Sequence, residues 1–237
     1  MLIGPQNWLE NLAVVRARIA AAALDCGRSV DSITLVAASK AQPLAAMAAV
    51  AQAGVTHFGE SYVQEALAKI AAAGAQAGLA SLPLTWHFIG QIQGNKTRPI
   101  AEHFAWVHGV DRLRLAQRLS AQRPYHAPPL NVCIQVNLGD EKSKAGVTAT
   151  ELPALAAAVA ELPRLTLRGL MCLPPAEHGL SRQRHWFAEL RHLFEALNAR
   201  GARLDTLSMG MSADLEAAVL EGATLVRVGT ALFGPRP

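Results

Sequence analysis

Apolar residues follow two rhythms along this chain, and the rhythms alternate. From residue 7 to residue 24, Leu9, Leu12, Val15 and Ile19 recur at three- and four-residue steps, which predicts a helix. The run Ile33-Thr34-Leu35-Val36-Ala37-Ala38-Ser39 is apolar almost throughout and reads as a buried strand. Residues 43–53 are helical again and end at Gly54. The alternation then repeats. Strands are expected over 55–59, 85–90, 105–110, 130–137, 166–173, 204–207 and 224–228. Helices are expected over 62–73, closed by Gly74, and over 96–102, 112–122, 150–162, 181–200 and 212–221. Residues 74–83 and 178–181 read as surface loops.

Strands that alternate strictly with helices run parallel, joined by helical crossovers. About eight such units in a little under 250 residues define a (β/α)8 TIM barrel. We therefore expect an α/β chain forming one barrel domain over residues 1–237, with an extra helix ahead of the first strand. A doubly wound open sheet is the other arrangement. It usually carries Gly-x-Gly-x-x-Gly after its first strand, and this chain has none there.

Composition narrows the class. The chain is 51% hydrophobic and 17% charged, enough to bury a core. Its net charge is +4 and its pI about 9.3, but the arginines are spread over several segments and no basic run is interleaved with aromatics. Solvated helix faces account for them, so we expect no nucleic-acid partner, while a mild positive field favours a small anionic ligand. Cys26, Cys133 and Cys172 show neither metal spacing nor pairing logic, which suits a reducing compartment, and no metal is expected. The first residues lack a basic flank followed by an apolar core, and no stretch of about 18 apolar residues occurs. A cytoplasmic monomer without membrane contact is the expectation.

In a parallel barrel the chemistry sits at the carboxyl ends of the strands. Lys40 closes the first. An unpaired ammonium there is costly to bury, yet a desolvated lysine is well placed to react as the free amine with a carbonyl. Snorkelling into water is the structural alternative. Ser208-Met209-Gly210-Met211-Ser212 follows the seventh strand as a glycine turn, with Ser212 placed to cap the next helix and Asp214 in its first turn. Gly229-Thr230 follows the eighth. Loops at these two positions commonly hold a phosphate. Arg227, near the end of the last strand, points inward if Leu225 does, and an inward arginine needs a carboxylate, a phosphate or a ring nitrogen. A salt bridge to Glu60 or Asp111 would also satisfy it. A reactive lysine, a phosphate cup and an inward arginine describe pyridoxal 5′-phosphate (PLP). A class I aldolase acting on a sugar phosphate is the rival, but we place no acid/base pair beside Lys40 for it.

Six stretches carry a family resemblance: Ala38-Ser39-Lys40, His57-Phe58-Gly59-Glu60, Trp86-His87-Phe88-Ile89-Gly90, Gln93-Gly94-Asn95-Lys96, Leu207-Ser208-Met209-Gly210-Met211-Ser212 and Arg227-Val228-Gly229-Thr230-Ala231-Leu232-Phe233-Gly234. Together they resemble the pyridoxal phosphate homeostasis proteins, which are similar to the barrel domain of alanine racemase. The resemblance implies a Schiff base on Lys40, phosphate contacts from Ser208, Gly229 and Thr230, and Arg227 at the pyridine nitrogen. Met209 and Ser61 count among the implied cofactor-binding residues. Two positions depart from the pattern: Ser61 stands where the family usually has Asn, and Ala41 where it usually has a polar residue.

Racemisation needs a base on each face of the substrate adduct. Lys40 supplies one. In alanine racemase-like enzymes the other is a tyrosine from a further domain, and this sequence runs only to Pro237, with Tyr62 and Tyr125 its two tyrosines. An arginine at the ring nitrogen also weakens the electron sink. We therefore expect a PLP carrier or buffer with no catalytic residues, which meets apo-PLP enzymes transiently. A compact amino-acid racemase of weak activity is the alternative, and a structural or RNA-binding protein is a third class with only the basic pI behind it.

Overall fold

The computed structural model describes residues 5–139 and 145–235, so residues 1–4 of the leading segment lie outside it. Eight parallel strands close into a barrel in chain order, β1 (Thr34–Ala38), β2 (His57–Glu60), β3 (Thr85–Phe88), β4 (Trp106–Val110), β5 (Leu130–Val136), β6 (Leu165–Cys172), β7 (Thr206–Ser208) and β8 (Leu225–Val228). Closure is direct: β1 pairs with β8 in the register Thr34↔Leu225 through Ala37↔Val228. The expected (β/α)8 architecture is therefore the observed one.

Helices cover the outside: α1 (Pro5–Asp25), α2 (Leu44–Gln52), α3 (Val63–Ala75), α4 (Ala77–Ala80), α5 (Thr97–His103), α6 (Leu113–Gln122), α7 (Leu152–Ala160), α8 (Leu180–Ala199), α9 (Leu215–Leu220) and α10 (Thr230–Phe233). The extra helix α1 packs on α2, α9 and α10. Its buried stripe is Trp8, Leu12, Val15, Ile19 and Ala22, one face at helical spacing. Leu9, expected on that stripe, is 44% exposed because Trp8 takes the inward position one residue earlier. Arg18 fixes the other side of α1 through Glu216 at 2.6 and 2.8 Å and the Ser212 carbonyl at 3.0 Å.

Three local expectations are corrected. Gly74 does not close α3, which runs on to Ala75, and part of the expected loop 74–83 is the short helix α4. Gly74 has no positive φ, so it fits the helix as any residue would. Ser212 does not cap α9. Asp214 holds the cap position, its carboxylate accepts the Met211 N–H at 2.6 Å, and the Ser212 hydroxyl accepts the Ala231 N–H at 3.0 Å instead. The turn after β8, whose helix was not foreseen, is thereby tied to the turn after β7. The strand 204–207 begins two residues later, at Thr206.

The large aliphatic and aromatic side chains fill the layer between barrel and helices, among them Phe58, Phe88, Phe104, Phe187, Leu119 and Ile134, each less than 2% exposed. Cys133 and Cys172 are fully buried in strands, as expected of core cysteines. Barrel interiors are usually packed with branched aliphatics. Here the interior also holds His87, His108, Ser208 and Arg227, all buried.

Candidate functional site at the carboxyl ends of the strands

Lys40 leaves β1 on a turn that other residues hold rigid. Ala41, the next residue, has φ +58°, a left-handed conformation that an L-alanine adopts at some cost. Its N–H donates to Glu65 Oε1 at 2.6 Å. Lys69, one turn along α3, donates to the same Glu65 oxygen at 2.6 Å, to Glu60 Oε1 at 2.9 Å and to the Ser39 carbonyl at 2.5 Å. Ser39 Oγ adds a bond to Glu60 Oε1 at 2.7 Å. Burial pushes the Glu60 carboxyl up, and Ser39 and Lys69 pull it back. This cluster grips the backbone on both sides of Lys40.

The Lys40 side chain lines two adjoining cavities that also share Ile89 and Leu173. The first, about 290 Å³, is lined further by Gln42, Met211, Ser212, Ala213, Arg227, Gly229 and Thr230. The second, about 420 Å³, is lined by Ser61, Tyr62, Gln91, Gln93 and Lys96 among others. The structure thus brings Lys40, Arg227, Gly229 and Thr230 around one space and puts Ser61 beside the neighbouring one. The Ser61 hydroxyl oxygen is buried without a hydrogen-bond partner. Ser208 and Met209 are fully buried and belong to neither lining.

Arg227 does point inward, but to neither carboxylate weighed for it. Asp111 pairs with Arg112 and Glu60 with Lys69. Arg227 Nη1 donates to Ser208 Oγ at 2.6 Å and Nη2 to the Cys172 carbonyl at 2.9 Å. The loop that follows Ser208 turns at Gly210, with φ +93°. A Cβ there would come within 2.5 Å of the Ala218 methyl, so the turn demands glycine.

Sequence reading gave Ser208 a phosphate role and passed over the three histidines behind it. Ser208 Oγ lies 2.7 Å from His108 Nδ1, His108 Nε2 lies 2.9 Å from His87 Nδ1, and His87 Nε2 lies 2.8 Å from His57 Nδ1. The indole of Trp106 stacks on His87 at 5.5 Å and 12°. Burial, then the Arg227 charge, pushes His108 down to about 3, and burial also lowers His87 and His57. These imidazoles form a line, and among the described residues no cluster of three or more His, Cys, Asp or Glu is placed to hold a metal. A histidine within each of three consecutive barrel strands was the available signal. Among the described residues no helix is long and apolar enough to cross a membrane.

A parallel barrel with a lysine closing its first strand and a guanidinium buried near the end of its last is a recognised class. The family model described as alanine racemase, N-terminal domain, matches residues 10–237. The pyridoxal phosphate homeostasis protein of Pseudomonas aeruginosa is 58% identical over 227 residues, covering 96% of this chain and 95% of that protein. Its Escherichia coli K12 namesake is 53% identical over 227 residues, covering 96% of each. The chain belongs to this family of pyridoxal phosphate homeostasis proteins. Among solved structures, PipY of Synechococcus elongatus with PLP bound superposes with a TM-score of 0.79 at 37% identity, over 93% of this chain and all of that one. Alanine racemase of Clostridium difficile shares the fold, with a TM-score of 0.72 at 14% identity over 97% of this chain and 58% of its own.

Proposed function

We propose that this chain binds PLP as a Schiff base on Lys40 and acts in PLP homeostasis as a carrier or buffer. The observation that carries the reading is the convergence of Lys40, Arg227, Gly229 and Thr230 on one cavity of about 290 Å³. The groups suit the ligand's three polar parts. The lysine amine adds to the aldehyde carbon with loss of water. The guanidinium offers donors to the ring nitrogen. The backbone and hydroxyls of Ser212, Gly229 and Thr230 offer a cradle for the phosphate. Gly229 suits that role because a Cβ would sit 3.3 Å from the Ala38 carbonyl, so a side chain there would crowd the cradle's rim. Bound PLP supplies an aldehyde and an electron-withdrawing ring. The PLP in the PipY structure and the names of the relatives support the same reading.

Two features favour carriage over catalysis. A ring nitrogen that accepts from a permanent cation stays unprotonated and draws electrons weakly. Of the two tyrosines, Tyr125 is 91% exposed with its ring under Arg164, and Tyr62 is 57% exposed at the second cavity. Neither is held as a base over the first cavity.

Mixing the purified protein with PLP should give a visible absorbance band that borohydride removes. Mass spectrometry should then place the added mass on Lys40, and Lys40→Ala should show neither. An apo-PLP enzyme should regain activity when mixed with the loaded protein, and a chiral assay should detect no amino-acid racemisation near ~1 s⁻¹. Absence of the band sinks the cofactor reading. Rapid racemisation lost in Lys40→Ala makes the protein a racemase instead.

A further inference from the structure

The line of imidazoles behind Arg227 has a direction. A guanidinium can only donate, so Arg227 Nη1 gives a hydrogen to Ser208 Oγ. The hydroxyl keeps one hydrogen of its own, and the acceptor in reach is His108 Nδ1 at 2.7 Å. His108 is then the Nε2–H tautomer and donates to His87 Nδ1 at 2.9 Å. His87 in turn donates from Nε2 to His57 Nδ1 at 2.8 Å. His57 is left with an Nε2–H at the amino-terminal end of the barrel, where it lines a cleft of about 550 Å³ with Arg16, Asp31 and Thr34. Run the other way, the chain would make Ser208 accept twice. Its own hydrogen, in a fully buried group, would then have no acceptor among the described contacts. One permanent cation therefore sets the tautomer of three histidines on three strands.

We propose that Ser208, His108, His87 and His57 form a one-way hydrogen-bond chain that orients the Arg227 guanidinium for the ring nitrogen of the cofactor, so that Ser208 is a positioning residue and not a phosphate ligand. Ser208 fixes one terminal nitrogen of Arg227 and the Cys172 carbonyl the other, which sets the guanidinium plane. The Ser208 hydroxyl has no hydrogen left for a phosphate. Its oxygen is a better acceptor for Arg227 because its own hydrogen is drawn off by a neutral imidazole, and chains of such bonds polarise one another. The assignment of Arg227 to the ring nitrogen rests on the PLP reading above, whereas the polarity of the chain does not.

Two measurements test the two parts separately. In apo protein with ¹⁵N-labelled histidine, long-range ¹H–¹⁵N spectra at pH 7 should show His57, His87 and His108 as Nε2–H tautomers with bare Nδ1 atoms. Any of the three as an Nδ1–H tautomer or an imidazolium overturns the chain, whatever the protein binds. Affinity is then measured for PLP and for 1-deazapyridoxal phosphate, which keeps the aldehyde and phosphate but has carbon in place of the ring nitrogen. Ser208→Ala should weaken PLP about tenfold or more and the deaza analogue less than about twofold. Equal losses make Ser208 a phosphate ligand, no loss for either removes it from the site, and both results overturn the positioning role. A wild-type protein that binds neither compound refutes the PLP reading and leaves the spectra to judge the chain. Should Ser208→Ala not fold, His108→Leu against His108→Gln gives the same contrast, because the amide restores an acceptor and a donor. The PLP preference should fall in the first and recover in the second, and equal preferences overturn the proposal.

Discussion

Acid should unfold this protein through its barrel interior. Burial, then the charge of Arg227, holds His108 down at about 3, against about 6.5 in an unfolded chain. His87 is lowered well below its ordinary value by burial, then by His108 and His57, and His57 is lowered by burial. A depressed folded-state value means that the unfolded chain binds the proton first. The stability these groups contribute is whole above about pH 6.5 and is lost as the pH falls below it, for His108 down toward 3. For His108 the gap corresponds to about 5 kcal/mol once fully expressed, against a total stability of about 5–15 kcal/mol for an ordinary domain. Between about pH 5.5 and 4, His108 should make stability fall by about 1.4 kcal/mol per pH unit, and His87 adds to the fall in the same sense. The buried Glu60 and the half-buried Asp214, whose values are raised, act in the opposite sense, and Asp205 and Glu216, whose values are lowered, act in the same one. The clean measurement is therefore a difference. Urea unfolding from pH 7.5 to 4.5 is compared between wild type and His108→Gln, whose carboxyls are common. The variant's slope should be shallower by about 1.4 kcal/mol per pH unit. Identical slopes for the two proteins would refute the buried neutral imidazole.

Lys69→Met should cost about 3–5 kcal/mol by urea unfolding, because it strands the buried Glu60 and cuts the tie between Ser39 and α3; a loss below about 1 kcal/mol would show that Glu60 is held neutral. Gly169→Ala should abolish soluble expression or lower Tm sharply, since its Cβ would overlap the Thr206 carbonyl across β6 and β7. Gly74→Ala, with open space around it inside α3, should raise stability by about 0.5–1 kcal/mol, and the reverse order of these two variants would contradict the strand packing.

The barrel was legible because its signal is local and repeated. Each buried run and each helical stripe announces itself within a dozen residues, and eight repeats outweigh errors at any one boundary. The strand ends were legible for the same reason, and Lys40, Arg227, Gly229 and Thr230 do meet at one cavity. Partnerships were not. Arg227 had two plausible carboxylates in the sequence, but each had a cation closer along its own segment, Lys69 for Glu60 and Arg112 for Asp111. Ser212 and Asp214 both suit a helix cap, and only the fold shows that Ala231 claims the serine. His57, His87 and His108 each look like a lone polar residue in a buried strand. What joins them to Ser208, 100 residues beyond His108, is the closure of the barrel, which no local pattern encodes.

The turn at Lys40 has a mechanical consequence. Hydrogen bonds on either side of it seize main chain: the Ala41 N–H donates to Glu65, and the Ser39 carbonyl accepts from Lys69. The left-handed step at Ala41 lets both bonds form at once. The lysine is thus moored at its root, and reach is left to its four-carbon stem. That stem stands on the boundary between two chambers. One anchorage serves both, so if the proposed cargo sits in one chamber, an amine entering the other would meet the same nitrogen without any shift of the barrel that carries it.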